Sequence, residues 1–425
     1  MKTSKSAAIG FIFITLTIDV IGWGLIIPVM PKLLSELKHI PINETSTWGG
    51  ILVSVFAAMQ FIFAPLMGNL SDRFGRRPII LLSLLGFCVD YIILALAHNY
   101  ALLFVGRVLA GITGASFTAA SAYIADISTN ENRAKNFGLI GAAFGLGFVL
   151  GPALGGLLAG WGLRAPFYAA AILCFINFLY GYFVLPESLK PENRRPFSWL
   201  KANPVGSLLF FIKHKEITGL VAGFIFIYLA AHAVQSNWSY FTMFVFDWTE
   251  KQVGISLAIV GVLVGLVQGG LIRIINPRLG DEKSTYLGLL LYAVGLTLFA
   301  FASQSWMMYV FLIPYCLGGI AGPALQSIIT KHIPNNEQGE LQGGLTSLMS
   351  LTSIFGPLIM TGLFNYTTHK ESAIHFPGAP FLLGAVFMLI SIWISRIVLQ
   401  KERKENPELA KRLDEPATEP TITQA

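Results

Sequence analysis

Twelve apolar segments, each of about twenty residues, recur along this chain and constrain its fold more than any other feature of the sequence. They cover roughly residues 7–31, 46–68, 78–97, 101–125, 134–159, 165–185, 217–245, 253–273, 284–303, 306–330, 341–366 and 378–399. A helix rises about 1.5 Å per residue, so about 20 residues cross the hydrocarbon core of a bilayer. Helices are expected because lipid-facing backbone must satisfy its own hydrogen bonds. The sequence therefore predicts an all-α integral membrane protein with twelve transmembrane helices.

Composition agrees with a membrane protein and excludes other classes. Only 12% of the 425 residues are charged, against about 25% in soluble proteins, and 54% are hydrophobic. The net charge of +6 does not indicate a nucleic-acid partner, because the basic residues are spread through short loops. The cysteines, Cys88, Cys174 and Cys316, lie in apolar stretches without metal-ligand spacing. We therefore interpret them as small buried hydrophobic residues and predict neither a metal site nor a disulfide framework.

The distribution of Lys and Arg predicts the orientation in the membrane. Of the 29 such residues, 23 lie on one side when both termini are placed in the cytoplasm, five lie on the other side, and Arg107 lies within a span. This positive-inside bias predicts a multi-pass membrane protein with both termini in the cytoplasm. The first apolar run is too long for a cleavable signal peptide and is expected to be the first span.

An internal repeat divides the chain into two halves. The longest polar interruption, 186–215, separates a six-span half at 1–185 from another at 216–400, and a cytoplasmic tail follows at 401–425. The sequence GITGASFTAA from Gly111 is echoed by GIAGPALQSI from Gly319, 208 residues later. GFVLGP, ending at Pro152, is echoed by TSIFGP, ending at Pro357, 205 residues later. Six-span repeats in the same orientation are typical of alternating-access transporters.

The loop after the second apolar segment, GNLSDRFGRRP, holds several charges between two uncharged flanks. Gly75 permits a tight turn, and Pro78 suits the first turn of a helix, where its missing N–H is not needed. Asp72 is expected to face a helix N-terminus, where negative charge is favoured. Asp126, at the end of span 4, is expected to pair with an arginine of this loop. The arginines that cannot enter the bilayer and so fix the topology are Arg73, Arg76 and Arg77.

The loop resembles the motif between spans 2 and 3 of the major facilitator superfamily. A second signature is DVIGWGLIIPVMP from Asp19, and a third is GFVLGPALGG from Gly147, which is similar to the glycine–proline motif of the superfamily's antiporters. With IADISTNENR and LQGGLTSL, the resemblance covers nearly the whole chain and is closest to the proton-coupled tetracycline exporters and their drug-efflux relatives. It implies the major facilitator fold and a proton antiporter of a bacterial-type inner membrane that exports small amphipathic drug-like compounds and confers antibiotic resistance. We expect this antiporter to work as a monomer without a cofactor.

The resemblance also implies residues that act in gating. In similar transporters the charged loop latches the two halves together when the cytoplasmic side is closed, and the glycine–proline motif forms a bendable hinge. The gating candidates are Asp72, Arg73, Arg76, Arg77, Asp126, Gly151 and Pro152. Two simpler interpretations stay open, namely that the charges only anchor the topology and that the glycines only allow close helix packing.

Charged residues within the spans are candidates for proton coupling, because such residues are costly and are functional by default. Asp19 lies about 12 residues into span 1, close to the bilayer centre, and Gly22 and Gly24 are expected to leave room for a ligand beside it. Asp90 and Arg107 lie at similar depth on consecutive helices and are expected to form an ion pair. The alternative for this pair is a purely structural role.

Polar residues in other spans are candidates for substrate binding in a central cavity. They are Gln60, His232, Gln235, Asn237, Gln268 and Gln326. For His232 the alternative is an ordinary hydrogen-bonded histidine.

One departure from the tetracycline exporters concerns spans 8 and 9. Those exporters carry a histidine and an aspartate at positions that hold Val264 and Tyr292 here. The loop between these spans, INPRLGDEK, keeps only a degenerate echo of the GNLSDRFGRRP loop. Proton coupling is therefore expected to rest on the N-terminal half, with weak tetracycline transport and a preference for lipophilic or cationic compounds.

Other functions are weaker interpretations of this sequence. Proton-coupled import of a nutrient such as a sugar or peptide is the main alternative, and a receptor would not need carboxylates at midplane depth. We find no nucleotide-binding loop, metal cluster or nucleophile–base arrangement in the sequence, so we do not predict an enzyme.

Overall fold

The computed structural model describes residues 5–114, 116–129, 132–197, 203, 206–214, 217–334 and 337–405. Most of the predicted tail at 401–425, namely 406–425, and parts of the predicted linker, at 198–202, 204–205 and 215, lie outside the described residues. Every regular element in the described ranges is a helix. The all-α prediction is confirmed.

The α-helices of the described residues are numbered in chain order. They are α1 (Lys5–Ile26), α2 (Met30–Lys38), α3 (Ile42–Phe74), α4 (Arg76–Leu96), α5 (Tyr100–Thr113), α6 (Ser116–Ile127), α7 (Arg133–Leu158), α8 (Ala165–Val184), α9 (Phe210–Lys213), α10 (Thr218–Phe246), α11 (Glu250–Leu266), α12 (Ile272–Ala300), α13 (Ser305–Leu317), α14 (Ala321–Lys331), α15 (Gln338–Thr368) and α16 (Ala379–Glu405). A five-residue π-helix, Val267–Leu271, connects α11 to α12 without a loop.

Eleven helical segments of the described chain are long and apolar enough to cross a membrane. The longest, Glu250–Ala300, has 51 residues and would extend about 75 Å at 1.5 Å per residue, more than twice the thickness of the hydrocarbon core. It is interrupted at Gly280, whose φ of 77° and ψ of 163° are not helical. Division at Gly280 gives two spans from this segment, and the total becomes the predicted twelve.

The first span is shorter than the sequence predicted. We expected it to continue to about residue 31, but α1 ends at Ile26 and the separate helix α2 begins at Met30. Pro28 and Pro31 lie at this break. Proline fits the first turn of a helix but interrupts a helix interior, which explains why a new helix starts here.

The chain forms two compact units. The first consists of Met1–Gly206, Trp238–Gly261 and Thr368–Glu371, and the second of Ser207–Asn237, Val262–Thr367 and Ser372–Ala425. The first unit therefore includes the end of α10 and the start of α11. The division into sequence halves at 1–185 and 216–400 stays a prediction.

Each unit is built from helices packed side by side. In the first unit α1 packs on α7 and α8, and α4 packs on α5 and α8. Two buried apolar clusters hold these helices together, one around Leu25, Leu94 and Phe167 and one around Ile12 and Leu84. In the second unit α12 packs on α13, α14 and α16. The three cysteines are buried, as predicted.

Candidate functional site

The turn between α3 and α4 depends on a glycine. Gly75 has a φ of 109° and a ψ of 162°, a conformation that side chains with a Cβ rarely adopt. A Cβ atom at this position would also overlap the carboxylate of Glu187. The turn therefore brings the Glu187 carboxylate directly to the backbone at the start of α4.

Glu187 caps α4. Its Oε1 accepts a hydrogen bond from the backbone N–H of Arg76 at 2.9 Å, and its Oε2 accepts one from the N–H of Arg77 at 3.2 Å. These are orphan donors of the first turn, where negative charge is stabilising. We expected Asp72 to face the helix N-terminus, but the carboxylate that accepts from these N–H groups belongs to Glu187. Asp72 lies in the last turn of α3, and Glu187 reaches the α4 terminus from the segment after α8.

Arg76 joins three segments of the first unit. Its Nη1 lies 2.5 Å from Asp72 Oδ1, and its Nε lies 3.1 Å from Asp126 Oδ2 at the end of α6. Nη1 also donates to Ser71 Oγ at 3.2 Å. We call Arg76, Asp72, Asp126 and Ser71 the Arg76 cluster. The predicted pairing of Asp126 with an arginine of the loop is thus confirmed.

The other two arginines of the loop lie outside the Arg76 cluster. Arg73 is exposed, and its guanidinium lies 5.1 Å from the centre of the Phe74 ring. Arg77 Nη2 donates to the carbonyl oxygen of Tyr182 at 2.5 Å, near the end of α8. The structure therefore separates the three predicted gating arginines into three environments.

The glycines of α7 allow two helices to approach at backbone distance. A Cβ atom at Gly151 would lie 2.8 Å from the Ile21 carbonyl oxygen and 2.9 Å from Gly24 Cα in α1. On another side of α7, a Cβ at Gly156 would lie 2.5 Å from the Glu250 carbonyl oxygen. Pro152 lies within α7, which continues through it to Leu158. Close packing of small residues therefore accounts for this motif, and the hinge role stays a prediction.

Asp19 lies in a polar seam between α1, α4 and α8. It is close enough to Tyr91 of α4 and Cys174 of α8 to interact electrostatically with both. One turn earlier, Thr15 Oγ1 donates to Asn177 Oδ1 of α8 at 3.2 Å. Thr15, Tyr91, Cys174 and Asn177 are all buried. These four residues belong to the same unit as the candidate proton carrier.

The space that we expected beside Asp19 is occupied by protein. A Cβ at Gly22 would lie 2.6 Å from the Tyr91 hydroxyl oxygen, and one at Gly24 would lie 2.7 Å from Pro152 Cδ. The expectation that these glycines leave room for a ligand was wrong. Glycine is required at these positions because α4 and α7 pack closely against α1 there.

Asp90 and Arg107 form the predicted ion pair. Arg107 Nη2 donates to Asp90 Oδ2, and the two side chains are only 7% and 0% exposed for Arg107 and Asp90 respectively. Gly106 permits this contact, because a Cβ there would lie 2.8 Å from Asp90 Oδ1. The guanidinium also lies 5.8 Å from the centre of the Phe56 ring. Sequence reasoning missed Gly106 and Phe56, although the glycine directly before Arg107 was a usable signal.

The predicted substrate-binding residues occupy different environments. In the first unit Gln60 Nε2 donates to the Gly114 carbonyl oxygen at 3.0 Å. In the second unit Gln326 Nε2 donates to Gln342 Oε1 at 2.8 Å, a partner that sequence reasoning missed. His232 is buried with its ring against Gly356.

The remaining three candidates also belong to the second unit. Asn237 is fully buried, and its amide atoms have no hydrogen-bond partner among the described residues. Gln235 and Gln268 are exposed, and Gln268 lies in the π-helix. A π-helical turn within a span is often a functional position. In the described part of the chain, no three His, Cys, Asp or Glu side chains are placed to hold a metal ion.

Tyr292, one of the two positions where we expect a departure from the tetracycline exporters, is a packing residue. Its ring centre lies 5.2 Å from that of Tyr315, and a Cβ at Gly318 would lie 2.5 Å from Tyr292 Cγ. The position therefore belongs to the contact between α12 and the segment that follows α13.

The protein has twelve apolar spans, with ion pairs at the ends of spans and carboxylates within them. These features define the class of polytopic membrane transporters. The model of the Major Facilitator Superfamily matches residues 12–286 and 274–423, so the chain belongs to this family. It is 40% identical to the tetracycline resistance protein, class C, of Escherichia coli over 89% of this chain and 93% of that protein. It is 30% identical to multidrug resistance protein 2 of Bacillus subtilis (strain 168) over 90% of this chain and 92% of that protein.

A solved structure supports the fold. The crystal structure of a variant of the nucleoside transporter NupG matches with a TM-score of 0.75 and 14% identity, covering 92% of this chain and 99% of that chain. At this identity the match concerns the fold alone. The predicted major facilitator fold is thereby confirmed.

Proposed function

We propose that this chain is a proton-coupled antiporter that exports amphipathic drug-like compounds by alternating access. The observation that carries the proposal is the presence of two carboxylates within the spans of the first unit. Oxygen atoms of both Asp19 and Asp90 are buried, and Asp90 is paired with Arg107. The relatives support drug efflux, since they are named for tetracycline and multidrug resistance. They do not favour the alternative of nutrient import.

In the proposed mechanism Asp19 is the main proton carrier. A carboxyl group that is removed from bulk water is cheaper to keep neutral, so it binds a proton from the side where protons are abundant. Tyr91 of α4 and Cys174 of α8 are close enough to interact electrostatically with this carboxyl group, and Thr15 and Asn177 form a hydrogen bond one helical turn away. Release of the proton on the other side accompanies movement of the substrate in the opposite direction.

The Asp90–Arg107 pair and the Arg76 cluster support this cycle in the proposal. Asp90 neutralises a guanidinium that would otherwise be buried without a counter-ion. The Arg76 cluster holds the ends of α3, α4 and α6 together on the side of the chain termini, which we place in the cytoplasm of a bacterial-type cell. The protein works as a monomer, and its partners are protons, the substrate and the bilayer.

A cell-based assay tests the direction and the energy source of transport. An efflux-deficient bacterium that expresses the chain should accumulate less ethidium than the same host with an empty vector. An uncoupler that collapses the proton gradient should abolish the difference. Higher accumulation in the expressing cells, again dependent on the gradient, would show import and contradict the proposal.

A further inference from the structure

The second unit contains the same kind of turn as the one at Gly75, although the sequences differ. Gly280 has a φ of 77° and a ψ of 163°, close to the 109° and 162° of Gly75. The two glycines are 205 residues apart, which is also the spacing between Pro152 and Pro357. The loops GNLSDRFGRRP and RIINPRLGDEK therefore occupy equivalent places in the internal repeat.

The charges beside these two turns are reversed at equivalent positions. The same spacing of 205 residues separates Arg76 from Asp281 and Asp126 from Lys331. Lys331 Nζ lies 3.1 Å from Asp281 Oδ2, and Arg76 Nε lies 3.1 Å from Asp126 Oδ2. In both units, the residue after the turn glycine thus pairs with a residue of opposite charge near the end of the following span.

Uncharged partners complete the arrangement around Asp281. Asn276 Nδ2 donates to Asp281 Oδ1 at 2.6 Å, and Ser327 Oγ donates to Oδ2 at 2.7 Å. Asn276 lies 205 residues after Ser71, which contacts Arg76. Asp281 is only 4% exposed, so its carboxylate depends on these donors and on Lys331. We call these four residues, Asp281, Lys331, Asn276 and Ser327, the Asp281 cluster.

The next pair of equivalent residues is reversed as well. Arg77 and Glu282 are 205 residues apart. Arg77 binds the carbonyl oxygen of Tyr182 near the end of α8, whereas Glu282 Oε2 accepts from Arg403 Nη2 at 2.7 Å on α16. In each unit, a charged side chain at the start of one helix therefore binds a group near the end of another helix. The charge at this position is positive in the first unit and negative in the second.

We propose that Asp281 is a positioning residue for transport, which with Lys331 ties the start of span 9 to the end of span 10. Transport requires the attraction between the two charges and not their particular order, since the first unit meets the same requirement with the signs exchanged. The inference rests on the proposed function, because it concerns the transport step.

Charge exchange between the two positions tests this inference. Asp281→Arg with Lys331→Asp gives the second unit the polarity that Arg76 and Asp126 have in the first. The variants to compare are Asp281→Arg alone, Lys331→Asp alone, the double exchange, and the neutral double Asp281→Asn with Lys331→Gln. Uptake of ethidium and of tetracycline into everted vesicles is measured per molecule of protein in the membrane, with an imposed pH gradient.

We expect each single variant and the neutral double to lose at least tenfold in transport rate, and the double exchange to recover at least half of the wild-type rate. The purified neutral double variant should still bind one ethidium molecule per chain with the wild-type Kd. A merely structural role would instead lower the bound stoichiometry together with the rate. Wild-type transport by either single variant or by the neutral double would overturn the inference, as would a double exchange no better than the singles.

Two further outcomes are decisive. If none of the Asp281 variants enters the membrane, including the neutral double variant, the pair is required for folding and the inference is overturned. If the wild-type chain transports neither probe, the proposed function fails, and the inference that rests on it fails as well. If the wild-type chain and all of the variants transport normally, only the inference is contradicted and the proposed function stands.

Discussion

Arg107 donates a hydrogen bond to Asp90 from the next helix, and both side chains are almost completely buried. Removal of one partner leaves the other charge buried without a counter-ion, at a cost of about 3–5 kcal/mol. We expect Asp90→Asn and Arg107→Gln each to lower the amount of folded protein in the membrane. The measurement is the yield and melting temperature of the solubilised variants.

The double variant Asp90→Asn with Arg107→Gln separates stability from coupling. It removes both charges, so we expect it to be more stable than either single variant. If the pair takes part in proton coupling, the double variant should still lack transport driven by a pH gradient. A stable double variant with normal transport would assign the pair a structural role only.

The glycines of α7 give a prediction with a control in the same helix. Alanine at Gly151 would meet the backbone of α1, which has no side chain that could move aside. We expect Gly151→Ala to lower the stability by about 1–3 kcal/mol, the usual cost of overpacking. Gly145→Ala should be neutral or stabilising, because a Cβ there meets nothing within 4 Å and alanine favours a helix. Equal melting temperatures for the two variants would contradict this packing.

The twelve spans were predictable because hydropathy is a local property of the sequence. The break after Ile26 was missed since the apolar run continues through Pro28. Glu187 was missed because it caps a helix terminus 111 residues away in sequence, and no periodicity signals such a contact. The Asp281 cluster was hidden for another reason. The backbone turn at Gly280 matches the turn in the GNLSDRFGRRP loop, but the charges around the two turns are reversed. A comparison of residue types therefore finds little similarity.

The Arg76 cluster predicts different effects for two neighbouring arginines. Arg76→Gln removes the contacts to Asp72 and Asp126, so we expect transport per molecule to fall at least fivefold. Arg73→Gln is the matched control, because Arg73 is exposed and outside the cluster. Vesicle transport of ethidium at equal protein amounts is the measurement. A similar loss in both variants would indicate that the loop acts only through its total charge.

Substrate preference follows from Val264 and Tyr292. The resemblance implies that the tetracycline exporters have a histidine at the position of Val264, and Tyr292 contacts Tyr315. We expect the chain to raise the inhibitory concentration of ethidium more than that of tetracycline in an efflux-deficient host. Strong resistance to tetracycline alone would contradict this preference and would place its determinants elsewhere in the chain.

The central claim is that Asp19 carries the coupled proton. In proteoliposomes with a known imposed pH gradient, the wild-type protein should accumulate ethidium against its own gradient, and Asp19→Glu should keep a measurable part of this activity. Asp19→Asn, which has almost the same shape but no exchangeable acid, should enter the membrane normally and show no accumulation above the equilibrium level. Accumulation by Asp19→Asn at the wild-type level would contradict the account and make Asp90 the leading candidate.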